Sequence, residues 1–123
     1  MIRKIGDFMR LTHIINGIKV ETYNNVVNKL KKNDEKYEFF LDNIENSIYI
    51  TDRLIFIREN DEYCFKLEIS SNSRCEIYLK NENKTFNINV KNAKYTKSNE
   101  KIEITYKLET DEDEHQIILE IGD

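Results

Sequence analysis

Apolar and polar residues alternate along most of the second half of the chain. Tyr63, Phe65, Leu67 and Ile69 share odd positions, as do Cys75, Ile77 and Leu79, whereas Phe86, Ile88 and Val90 are even. Side chains alternate between the two faces of a strand, so each run marks one buried face. Two odd faces need an odd loop, which predicts Ile69 opposite Cys75 around Ser70-Ser71-Asn72-Ser73-Arg74. The switch to even predicts Leu79 opposite Phe86, around the polar Asn81-Glu82-Asn83-Lys84. After Val90 the parity returns to odd at Ala93 and Tyr95, the one-residue slip of a β-bulge, placed at Asn92. Tyr95 then pairs with Ile102 across Ser98-Asn99. Ile102, Ile104, Tyr106 and Leu108 give the cleanest alternation, and Ile117, Leu119 and Ile121 form a last strand.

The first half is less regular. Met9, Leu11, His13 and Ile15 share a face ahead of Asn16-Gly17, a strong two-residue hairpin signal, and Ile18 and Val20 follow. Phe39 with Leu41, Ile48 with Ile50, and Leu54 with Phe56 read as further short strands. Residues 23–33 admit two readings. Tyr23, Val27 and Leu30 have helical spacing and allow one short helix, but Asn24, Asn25 and Asn28 are weak helix formers. About eight to ten short strands joined by short loops predict an all-β domain, a single antiparallel up-and-down β-barrel. One domain covers 1–123, with 1–8 a poorly ordered or edge segment.

Composition supports this class. The chain holds 18 Ile but one Ala and four Val, a balance that suits pleated surfaces better than helices. No Pro is present to guard an exposed sheet edge, which favours a closed barrel. Abundant Asn and Lys have AT-rich codons and carry little functional information. With a net charge of −4 and a pI near 5.3, the chain lacks the basic stripe of a nucleic-acid binder. Neither a signal-peptide apolar run nor a membrane-length apolar stretch occurs, so a soluble, cytoplasmic protein is expected. Parity places Cys64 outside and Cys75 inside, so both thiols are expected to be free and reduced.

The run Leu54-Ile55-Phe56-Ile57-Arg58, then Tyr63-Cys64-Phe65, Ile104-Thr105-Tyr106-Lys107-Leu108 and Ile117-Ile118-Leu119-Glu120-Ile121 resembles an uncharacterised bacterial family. Its members are small calycin-like (lipocalin-like) β-barrels of low-GC Gram-positive bacteria, a domain of unknown function. The likeness covers about 9–121 and is strongest from 47 onward. It departs at 31–37, where Lys31-Lys32-Asn33-Asp34-Glu35-Lys36-Tyr37 replaces a glycine ahead of an aromatic strand. The resemblance implies a lipocalin-like closed barrel and supplies no activity, cofactor or site residue.

Candidate chemistry is sparse. His13 and His115 lack the ligand spacing of a zinc site. The acidic run 109–114 lacks the calcium-loop pattern and reads as a solvated hairpin loop. Cys75 sits among Ile77 and Leu79 without a base. With glycines only at 6, 17 and 122, no phosphate loop or nucleophile elbow is present. No enzyme, metal or cofactor is therefore expected. Inward aromatics are the most suggestive set: Phe56, Tyr63, Phe65, Phe86, Tyr95 and Tyr106, with His13, are the candidate lining of a barrel interior. Such a lining either fills the core or binds one small molecule. The expected function is binding of a small apolar ligand, by a monomer or homodimer with neither nucleic acid nor membrane as partner. The alternative is a non-enzymatic protein-interaction or accessory module with a filled barrel core.

Overall fold

A computed structural model describes residues 8–26, 31–33, 36–41, 43–98, 100–110 and 112–122. Eleven strands account for most of them: β1 (Phe8–Ile15), β2 (Ile18–Val26), β3 (Lys31–Asn33), β4 (Lys36–Leu41), β5 (Ile44–Ile50), β6 (Leu54–Glu59), β7 (Tyr63–Ile69), β8 (Arg74–Leu79), β9 (Lys84–Lys97), β10 (Lys101–Leu108) and β11 (Glu114–Gly122). Every ladder is antiparallel, and the order across the sheet is β2-β1-β11-β10-β9-β8-β7-β6-β5-β4-β3. The chain is thus a meander whose first and last strands pair, Leu11 opposite Leu119.

Two expectations, the strand number and the short helix, need correction, and barrel closure is not shown. Among the described residues the strands number eleven rather than eight to ten. The sheet has two end strands, β2 and β3, and no ladder joins them among the described residues, so closure into a barrel is not observed. No helix occurs among the described residues: β2 carries the chain to Val26 against β1, and Lys31–Asn33 pairs with β4. Asparagines that tolerate a helix poorly find backbone partners in a ladder instead. Residues 27–30 and 1–7 lie outside the described residues.

The sheet is strongly curved. Phe65 on β7 and Tyr106 on β10 are three strands apart, roughly 14 Å in a flat sheet. Their ring centroids lie 6.3 Å apart. Both rings therefore point into one interior, and one core cluster joins Leu11, Phe39, Ile48, Phe56, Leu67, Ile104 and Leu119 from both halves of the sheet. Strand β9 makes the turn between the halves. Its first part, Lys84–Asn89, pairs with β8, and its second part, from Val90, pairs with β10. At the changeover the register slips between Thr105 and Lys107, and Asn92 takes φ 53°. That is the bulge expected at Asn92, with a residue type that tolerates the left-handed region.

Asn16 and Gly17, at φ 52° and 81°, form the expected two-residue turn with Ile15 opposite Ile18. The other hairpins keep the expected faces but not the expected partners. Cys75 pairs with Leu67, Phe86 with Ile77, and Tyr95 with Ile104, each two residues from the alternation-based pairing. Hydrogen bonds in the turns set these registers. Ser70 N donates to Ser73 Oγ at 3.1 Å, and Ser98 N donates to the Lys101 carbonyl at 2.8 Å. Between Leu79 and Lys84, Asn83 adopts φ 51° and accepts the Tyr78 hydroxyl proton at 2.7 Å.

Candidate functional site

Register alignment places Phe39, Asn46, Arg58, Phe65, Ile77 and Phe86 side by side on the inner face of β4 to β9. Two members of this row are polar. Asn46 is fully buried; its Nδ2 donates to the Ile44 carbonyl at 3.1 Å, while its Oδ1 has no partner. Arg58 lies directly opposite Asn46, and its Nε is buried without an acceptor. A guanidinium carries only donors, so a buried one left without an acceptor is a costly feature for a core to keep.

Arg58 borders an apolar cleft of about 350 Å³ between the two halves of the sheet, lined also by Tyr63, Phe65, Ile77, Leu79 and Tyr106. Among the described residues of that lining, Arg58 alone is charged. The walls are inner-face positions: Arg58 faces Phe65, Phe65 faces Ile77 and Tyr63 faces Leu79 in the ladders, and Tyr106 closes the site from β10. Three of the sequence-predicted residues, Tyr63, Phe65 and Tyr106, thus meet at one site. Phe56 lies beneath them, fully buried and edge-on to Phe65 at 6.3 Å.

The other candidates lie elsewhere. Tyr95 borders a polar groove with Lys94, Glu103 and Gln116. Phe86 is 47% exposed, because the β10 ladder ends at Val90 and leaves the start of β9 uncovered on that side. His13 stands behind the cleft. Its Nε2 is 3.1 Å from Nδ1 of His115, whose ring stacks on Tyr106 at 5.1 Å and 10°. The sequence shows no partner for either histidine; the pairing of the chain's first and last strands supplies one. Among the described residues no group of three metal-ligating side chains forms. Two residues of the acidic run meet the β1–β2 turn: Asn16 Nδ2 donates to Asp113 at 2.7 Å, and Glu114 N donates to Asn16 Oδ1 at 2.8 Å.

Arg58 and Asn46 escaped the sequence reading. Parity does point them inward, Arg58 with Leu54 and Phe56, Asn46 with Ile48 and Ile50. In β6, however, Ile55 and Ile57 make the opposite face apolar as well, so the alternation that flags an inward charge is lost.

Both cysteines are free, Cys75 buried and Cys64 half-buried. Burial pushes the Cys75 thiol up from 9.0 to about 11, and burial followed by the nearby Glu59 carboxylate raises Cys64. The folded chain holds the Cys75 proton more tightly than the unfolded chain. Its contribution to stability is therefore complete below pH 9 and lost as pH rises through about 11. A thiol reagent at pH 8 should modify Cys64 first and reach Cys75 only on unfolding; equal rates in the native protein would contradict this burial.

The chain matches no protein-family model, no curated protein and no solved structure.

Proposed function

We propose that the chain is an up-and-down barrel of calycin type, its seam between β2 and β3, that binds a small and mostly apolar molecule in the inner cleft. The observation that carries this reading is the cleft itself. Its 350 Å³ lies in the range of small-molecule sites, roughly 300–1,000 Å³, and its walls are aromatic and aliphatic with one convergent charge. The strand order is that of a ring cut once, and the sheet already wraps around one core. Two free thiols fit a reducing cytoplasmic setting, and no helix among the described residues is long and apolar enough to cross a membrane. We read the role as binding, in keeping with a lining that, among the described residues, is aromatic and aliphatic apart from Arg58.

Titration with a neutral solvatochromic dye tests this reading. Leu79→Glu, which places a carboxylate in the cleft wall, should weaken dye binding by about tenfold or more, as expected for a charge set against an apolar ligand. Lys94→Glu, in the polar groove, should leave it unchanged. Phe86 and Phe40, 47% and 51% exposed, carry the second reading, an interaction module working through its exterior. Dye binding that ignores Leu79→Glu and disappears with Phe86→Ser would favour that module.

A further inference from the structure

We infer that the ligand of the inner cleft is an amphipathic organic monoanion, a carboxylate on an apolar body, held by the guanidinium of Arg58. The inference rests on the proposed cleft binding and adds the ligand's charge and its anchor. Three observations converge. Among the described residues lining the cleft Arg58 alone is charged, and the other five are aromatic or aliphatic. Its Nε is buried without an acceptor, and among the described residues no carboxylate lies within ion-pair distance of its guanidinium. Neighbouring Glu59 points to the outer face and pairs with Lys80 at 2.7 Å, so the adjacent negative charge is already engaged.

A guanidinium presents a planar fork of donors that matches a carboxylate in two parallel hydrogen bonds. One cation balances one negative charge, which favours a monoanion over a dianionic phosphate monoester. Asn46 explains why the chain does not neutralise Arg58 itself. It occupies the cross-strand position from which a carboxylate would reach the guanidinium, and it is a neutral amide.

Calorimetric titration with decanoate and with decanol, which share an apolar body and differ in charge, tests the anchor. The wild-type chain should bind decanoate about tenfold or more tighter than decanol, the value of one charge-assisted hydrogen bond. Arg58→Met should erase that preference while decanol still binds. Asn46→Asp, which supplies an internal carboxylate opposite Arg58, should weaken decanoate by a similar factor and leave decanol unchanged. The second variant keeps the test decisive if the first fails to fold. Equal binding of the two ligands by the wild type, or a preference that survives both substitutions, overturns the anion anchor and leaves apolar binding standing. Binding of neither ligand defeats the cleft reading and the anchor together.

Discussion

Phe56→Ala is expected to lower the unfolding free energy by about 3–5 kcal/mol, read as a fall in the urea midpoint without a change in slope. Phe56 has no exposed surface and lies between Ile48 and Leu67, its ladder partners, both fully buried as well. Above it Phe65 presents an edge at 75°. Removing the ring leaves a cavity bounded on two sides by strands that cannot approach, because β5 and β7 are each hydrogen-bonded to β6 along its length. The cost is therefore the lost transfer energy plus most of the cavity term. Phe86→Ala is the control. The same chemistry at a half-exposed site on the uncovered start of β9 should cost about 1 kcal/mol or less. A loss at Phe56 no larger than that at Phe86 would mean that the two halves of the sheet do not close over one core.

The contrast between these two phenylalanines shows where alternation stops being informative. Both have inward parity, and in both cases the inward face is observed. Coverage is another matter, since it depends on how far β10 runs beside β9, and no local pattern encodes that. Register is lost for a related reason. A shift of two residues leaves every side chain on its own face, so alternation fixes a pairing only to within two. The three hairpins centred on Ser70–Ser73, Asn83 and Ser98 all fell into that gap, and their turn hydrogen bonds closed it. Where a residue departs from the rule in a recognisable way, at Asn16-Gly17 and at the parity slip near Asn92, the sequence was sufficient. The candidate site was half visible. Its aromatic walls follow from parity, whereas Arg58 is masked by the apolar Ile55 and Ile57 beside it. The contact of His13 with His115 needs the first and last strands to pair, which is a property of the whole meander.

Arg58→Met should raise the stability of the ligand-free protein by about 1–2 kcal/mol, the saving from removing a buried donor left without an acceptor. The side chains are of similar length, and a thioether adapts to irregular apolar surroundings, so the substitution opens little space. The direction runs against the usual outcome of replacing a residue on a packed inner face, which is destabilisation. It follows from Arg58 facing Phe65 across the ladder while its Nε lacks a partner. Asn46, which shares the row, gives an independent check. Asn46→Asp combined with Arg58→Met would bury a carboxylate with no counter-charge and should be less stable than either single variant, so the two effects should not add. Urea unfolding of the four proteins in this cycle measures the coupling. A wild-type chain more stable than Arg58→Met would show that the guanidinium already serves the fold, and the cost attributed to its unpaired donor would be refuted. A gain in stability together with the loss of decanoate preference would identify Arg58 as a residue whose charge costs the fold stability and serves a ligand.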